Sequence, residues 1–267
     1  MRAVVLAAGR GSRLRAVTGD GPKCLAQVGD RTLLARQIEA LQRCGVTDIA
    51  VVVGYHAAEV RRACGPGIDI VCNTRYESTN SLYSLWLARN LLTDGFVVLN
   101  CDVLFHDQLL ADLLTARDED ALLIEPSGDQ LYSDEEMKVR LHAGCVVDIA
   151  KTLPPQHADG ENVGIGKFGA AGAAVLVEEL TRVLSAGGRR EWLPRAFARF
   201  ASRRPLHVVE TRGLPWIEID SPEDYWRACA DVLPAIDDRQ TAAEHHVCID
   251  GPRLTAADSP RRSLHHV

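Results

Sequence analysis

Arg2-Ala-Val-Val-Leu-Ala-Ala-Gly-Arg-Gly-Ser-Arg-Leu14 opens the chain, and Gly21-Pro22-Lys23 follows closely. Ala3 to Ala7 is an apolar run long enough for one buried strand. It breaks at Gly9 and Gly11, where small residues let the backbone approach a ligand and offer N–H groups to phosphate oxygens. Arg10, Arg13, Arg15 and Lys23 place four cations beside that loop. The combination suits a polyphosphate, although strand and glycines alone fit an ordinary strand-to-helix turn with solvated arginines equally well. Two phosphate loops are excluded by spacing. A Walker A loop needs Gly-Lys-Ser/Thr after its first glycine, and a dinucleotide fingerprint needs a third glycine where Leu14 stands.

Outward from this stretch, strands and helices alternate. Thr32 to Cys44 carries Leu33, Leu34, Ile38 and Leu41 at helical spacing, and Gly45 follows as a stop. Asp48 to Val53 is a nearly continuous apolar run, as in a parallel strand covered on both faces. A helix over His56 to Cys64, a strand over Gly67 to Cys72, a helix over Ser81 to Leu92 and a strand over Phe96 to Leu99 complete the first hundred residues. The pattern predicts an α/β fold with a mainly parallel sheet, whose ligands gather at the carboxyl ends of strands. A helix from Asp107 to Leu114 and a strand from Ala121 to Ile124 continue it.

The chain then becomes β-rich. Glu136 to Leu141 and Cys145 to Lys151 flank Ala143-Gly144 and predict a hairpin, and Asn162 to Phe168 is a further strand. Helices over Ala171 to Leu184 and Trp192 to Phe200, strands near His207 to Val209 and Trp216 to Ile219, and a helix from the Asp220-Ser221-Pro222 start to about Leu233 follow. Residues 234–267 lack a clear period and read as a flexible tail. Its His245-His246, Cys248 and His265-His266 have no framework that would make them a metal site.

The length of 267 residues lies within the single-domain range for α/β folds. A net charge of −6 argues against a nucleic-acid partner. No apolar run reaches membrane-span length, and a strand starting at residue 2 leaves no room for a signal peptide, so the expected location is cytoplasmic. The eight cysteines include no Cys-x-x-Cys pair, and several, such as Cys72 after Ile70-Val71, read as buried reduced thiols.

Two acids stand at strand ends. Asp102 closes the apolar Val97-Val98-Leu99 strand at the same sheet edge as the glycine loop, where a carboxylate suits Mg²⁺ shared with substrate phosphates. A turn cap is the alternative. Asp220 closes Trp216-Ile217-Glu218-Ile219 before a helix, where a plain N-cap is the simpler reading.

Leu6-Ala7-Ala8-Gly9-Arg10-Gly11-Ser12-Arg13-Leu14 with Pro22-Lys23 resembles the signature of the nucleotidyltransferases that join a nucleoside triphosphate to a phosphorylated small molecule. Asn73, Tyr76, Thr79-Asn80, Ser84-Leu85-Trp86-Leu87-Ala88-Arg89, Asp134 to Val139 and Asp159 to Phe168 resemble the phosphocholine and aminoethylphosphonate cytidylyltransferase branch. The resemblance covers roughly residues 1 to 230. It implies a Rossmann-like, mainly parallel sheet of the GT-A-like type in one domain over 1–233, with a β-rich insert at about 125–170 covering the acceptor. Leu6, Ala7, Ala8, Gly9, Gly11, Ser12, Thr79, Asn80, Ser81 and Ser84 would bind the nucleotide. Arg13 would hold the β- and γ-phosphates, Lys23 would stabilise charge at the α-phosphate, and Asp102 and Asp220 would hold Mg²⁺. Lys138, Glu161 and Lys167 would contact the acceptor.

The implied partners are an NTP, with CTP favoured, and a small phosphorylated or phosphonylated acceptor. A guanylyl- or thymidylyltransferase acting on a sugar or cyclitol phosphate shares every catalytic residue. A glycosyltransferase would carry Asp-x-Asp rather than Asn100-Cys101-Asp102. A non-catalytic nucleotide-binding protein would have no need of Asp102 for turnover. Aromatics make up 5% of the chain, which suits a primary amine or hydroxylated head group near Asp134, Glu135, Asp159 and Glu161 better than a quaternary ammonium.

Overall fold

The computed structural model describes residues 1–128 and 132–239. In chain order its elements are β1 (Arg2–Ala7), α1 (Arg15–Thr18), β2 (Gln27–Val28), β3 (Arg31–Thr32), α2 (Leu33–Arg43), β4 (Ile49–Val53), α3 (Ala57–Cys64) and β5 (Asp69–Cys72). Then come α4 (Ser81–Leu87), β6 (Phe96–Asn100), β7 (Val103–Phe105), α5 (Asp107–Thr115), β8 (Ala121–Pro126), β9 (Lys138–His142), β10 (Cys145–Ala150) and β11 (Gly160–Phe168). The last are α6 (Ala170–Ser185), α7 (Pro194–Ala201), β12 (His207–Glu210), β13 (Trp216–Glu218) and α8 (Pro222–Arg227).

One sheet runs β5-β4-β1-β6-β11-β8-β12-β10-β9. β5, β4, β1 and β6 run parallel to one another. β11 joins antiparallel to both β6 and β8. The order reverses around β1, with β4 on one side and β6 on the other. A crevice therefore opens beyond its carboxyl end, the place where open α/β sheets bind ligands.

The continuity of the apolar runs follows from burial on both faces. Ala3, Val5 and Ala7 pack into one core cluster with residues of α2, α3 and α5. Val4, Leu6 and Ala8 pack into a second with residues of α4, α6 and α7. The hairpin expected at Ala143-Gly144 forms as β9–β10, and both turn residues take positive φ, 49° and 76°, as a tight primed turn requires. The hairpin is not a separate layer. β9 also pairs with the first residues of β11, so the far strands curl back on themselves.

Three expectations change. The strand entering Asp102 breaks at Cys101-Asp102, and the residues beyond it form β7, which pairs antiparallel with β13. Cys72 is exposed because β5 is the sheet's edge strand, while all seven described cysteines are free thiols. The last helix does not end at Leu233. It passes through a wide turn, Ala228–Val232, and continues over 233–239. Leu233 and Ile236 fill a small core with Leu14, Val28 and Ile217, and the wide turn lies just ahead of Pro234, which has no N–H for a regular helical bond. The tail histidines and Cys248 lie outside the described residues. Among the described residues, no helix is long and apolar enough to cross a membrane.

Candidate active site

A cleft of about 380 Å³ opens at the carboxyl end of β1. Its floor is Leu6 and Ala8, and Gly9 to Arg13 form its rim. Gly11 has φ +64°, and a Cβ there would stand 2.5 Å from Lys23 Cβ. Only glycine meets both demands. The close approach seats Lys23, carried on a single turn after Pro22, in the wall of the cleft.

Lys23 is 7% exposed and joins two acids. Its Nζ lies 2.9 Å from Asp102 Oδ2 and also donates to Asp220 Oδ1. The β7–β13 pairing explains how residues so far apart in sequence meet: Glu218 stands opposite Val103, and Ile219 N donates to Asp102 O at 2.9 Å. Arg13 reaches over the group, donating to Asp220 Oδ2 at 2.6 Å and Glu135 Oε2 at 3.1 Å. Lys151 approaches Glu135 from the other side at 3.3 Å.

The electrostatics follow from this packing. Burial works against the Lys23 charge, but Asp102 and Asp220 outweigh it and raise its pKa. Burial likewise pushes the Asp220 carboxyl up, but Lys23 and Arg13 overcome it and hold Asp220 below the ordinary carboxylate range. For Glu218, Lys23 compensates only in part. Burial, then the charges of Asp102 and Asp220, push it up to about 8. Oxygens of Asp102, Glu218 and Asp220 all lie within 4.8 Å of one another. Asp102 Oδ1 is buried without a hydrogen-bond partner among the described residues. An all-oxygen donor set with an orphaned carboxylate oxygen fits a hard divalent cation.

Among the expected nucleotide residues, Leu6, Ala8, Gly9, Gly11, Ser12, Thr79, Asn80, Ser81 and Ser84 all line the cleft. Ala7 does not, because strand alternation turns its side chain into the core. The three acceptor residues separate from the rest. Lys167 lies toward the opposite end of the sheet, where β11 faces Val97, and its Nζ donates to Ala116 O at 2.8 Å at the end of α5. The acceptor role expected for Lys167 is withdrawn. Lys138 is fully buried, and its Nζ donates to Ser133 O at 2.6 Å, so it braces the loop bearing Glu135 rather than lining the cleft. Glu161 sits beside Glu125 behind the wall. Its neighbour Asn162 reaches the cleft instead.

The structure adds Lys151, Trp192 and Glu218 to the lining and brings Asn73, Glu135, Met137 and Asn162 there from the stretches that carry the resemblance. Of the three additions Glu218 had a legible signal: it shares a face with Asp220, one strand period earlier.

Residues 3–200 match the MobA-like NTP transferase domain. The chain belongs to this family. Its structural neighbours are nucleotidyltransferases with the Rossmann-like α/β fold described above. The domain is similar to the bifunctional IPC transferase and DIPP synthase of Rubrobacter xylanophilus, 33% identical over 228 residues, which are 83% of this chain and 50% of that one. It is also similar to the CMP-5'-(3-aminopropyl)phosphonate synthase of Streptomyces rubellomurinus, 38% identical over 251 residues, which are 85% of this chain and 38% of the relative. The chain thus spans half or less of the length of these two curated relatives. The CTP:phosphocholine cytidylyltransferase structure from Streptococcus pneumoniae superposes with a TM-score of 0.71 at 26% identity, over 85% of this chain and 96% of that one.

Proposed function

We propose that this chain transfers a nucleotidyl group from an NTP, CTP foremost, to a small phosphorylated or phosphonylated acceptor. The observation that carries the reading is Lys23 bridging Asp102 and Asp220 beneath the Gly9–Arg13 loop. The ammonium is buried and tied to two acids at the mouth of the glycine loop. It is well sited to meet charge growing at an α-phosphate. The relatives named above include enzymes whose names carry CTP or CMP, which supports cytidine as the nucleoside.

In the proposed reaction an oxygen of the acceptor's phosphate or phosphonate attacks the α-phosphorus. The new P–O bond forms as the α–β bridging bond breaks, and pyrophosphate leaves with the bonding electrons. The attacking oxygen is already anionic, so no general base is required. Catalysis is then positioning and charge neutralisation. The loop amides and Arg13 orient the β- and γ-phosphates. Lys23 follows the α-phosphate.

A triphosphate entering beside three carboxylates needs a counter-charge. Asp102 and Asp220, with Glu218 at their side, would hold Mg²⁺ there, and the ion would supply electrophilic polarisation of phosphate oxygens. Lys151, Asn162 and Trp192 also line the cleft, where the acceptor head group would rest.

The test is pyrophosphate release in Mg²⁺ with each of five NTPs against phosphocholine, 2-aminoethylphosphonate and several sugar and cyclitol phosphates. Release with CTP and an alkyl phosphate or phosphonate is expected. Release with GTP or dTTP and a cyclic phosphate would move the chain to guanylyl or thymidylyl transfer. Nucleotide binding without release from any pair would remove the reading.

A further inference from the structure

Asn73 is buried just past the end of β5, in the cleft wall with Thr79 and Ser84, and every polar atom of its side chain is engaged. Its Oδ1 accepts from Arg75 N at 2.9 Å, which fixes the amide's orientation. Its Nδ2 therefore points the other way, donating to Thr79 Oγ1 at 3.0 Å and Ser84 Oγ at 3.1 Å. An amide nitrogen has only donors to offer, so both hydroxyl oxygens are acceptors in these bonds.

The hydroxyl protons must then go elsewhere, and the two residues differ. Thr79 donates its proton to Arg75 O at 2.8 Å. What remains on Thr79 is a lone pair. The Ser84 proton has no acceptor among the described residues, and Ser84 lines the cleft. What remains on Ser84 is the proton, free to be donated, with one lone pair beside it. By donating to both hydroxyls the amide leaves Ser84 able to present its O–H, while Thr79, its proton already given to Arg75 O, presents only oxygen.

We infer that Asn73 is a positioning residue that sets base selection by keeping the Ser84 proton free beside the Thr79 lone pair, an inference that rests on the nucleotide reading above. The complementary edge is a ring nitrogen lone pair beside an exocyclic amine. Cytosine carries that edge at N3 and N4. Uracil and guanine invert it: their carbonyl meets the Thr79 lone pair, and their ring N–H leaves the Ser84 proton unused. Adenine shares the cytosine pattern on a larger ring.

The discriminating variant is Asn73→Asp. A carboxylate can still accept from Arg75 N, but it accepts from Ser84 rather than donating to it, which turns the Ser84 lone pair toward the base. Calorimetric binding of CTP, UTP, GTP and ATP to wild type and variant reads the effect without an acceptor. Wild type should bind CTP at least tenfold tighter than UTP, and Asn73→Asp should shrink that ratio by on the order of tenfold or more, the usual penalty for one mispaired buried hydrogen bond. Ser84→Ala, which leaves Asn73 in place, should shrink it as well, so the test survives if the aspartate variant does not fold.

Wild-type preference for UTP would overturn the inference while leaving nucleotidyl transfer standing. So would an equal loss of CTP and UTP affinity in both variants, the signature of a purely structural role. Failure to bind any NTP would remove both readings.

Discussion

At the scale of single residues, Lys23 is the most constrained group in the cleft. Its seat depends on Gly11, which has no Cβ to obstruct it, and its charge depends on Asp102 and Asp220. If it stabilises the transition state as a preorganised donor, Lys23→Ala should lower kcat on the order of 100-fold or more while nucleotide affinity changes far less. Steady-state pyrophosphate release with calorimetric CTP binding separates the two effects. Unchanged kcat would remove the assignment. Glu161 supports a prediction about stability. Burial, followed by Glu136 and Glu125, pushes its carboxyl from 4.5 up to about 7, against the pull of Lys138 and Lys151. Between those two pH values the folded chain keeps a proton that the unfolded chain has lost. Stability contributed by this site therefore falls as pH rises through that window and levels off above it. Glu161→Gln removes the titration, so the variant should gain melting temperature relative to wild type between pH 5 and pH 8. Parallel melting curves at the two pH values would show that Glu161 ionises as easily in the folded chain as outside it.

At the scale of elements, what was legible depended on the length of each pattern. β1 and β4 read clearly because burial on both faces leaves an unbroken apolar run, and the β9–β10 turn was marked by Ala143-Gly144. β7 was hidden because a three-residue strand has no period of its own, and only its pairing with β13 gives it identity. Lys138 and Lys167 misled for a related reason. A long stem can bury a lysine and deliver its ammonium to a backbone carbonyl, which leaves no trace in sequence. The start of α6 was read as a plain helix, yet it is built around a buried acid. Asp120 accepts from Gly169 N at 3.0 Å and pairs with Arg204, and a Cβ on Gly172 would stand 1.8 Å from Asp120 Oδ1. Gly172→Ala should therefore cost about 1–3 kcal/mol despite alanine's better helix propensity, because the buried carboxylate has to move. Urea unfolding checks this. A neutral or stabilising substitution would mean that the α6 start tolerates displacement of Asp120.

At the scale of the whole molecule, the cleft joins parts of the chain that sequence order keeps apart. Arg13 and Lys23 come from the opening loop, Asp102 from the end of β6, Glu218 and Asp220 from β13 and the turn after it, and Glu135 and Lys151 from the hairpin side. The glycine loop and Asp102 could be placed at one sheet edge from the pattern alone. Their meeting with Asp220 depended on β7–β13, and here the family resemblance supplied what periodicity did not. A site assembled from four regions couples ligand binding to global stability, since unfolding any one of them dissolves it. At a concentration one hundred times its Kd, a ligand that binds only the folded chain adds about 2.7 kcal/mol. For a chain of this size that corresponds to a rise of roughly 5–10 °C in melting temperature. CTP with Mg²⁺ should produce such a rise in wild type, and chelation of the metal should reduce it. In Asp102→Ala the increment due to Mg²⁺ should vanish, while any residual effect of CTP alone should persist through Arg13 and the loop amides. If Asp102→Ala kept the full Mg²⁺-dependent increment, the ion would be held elsewhere, and the grouping of Asp102, Glu218 and Asp220 would serve only to anchor Lys23.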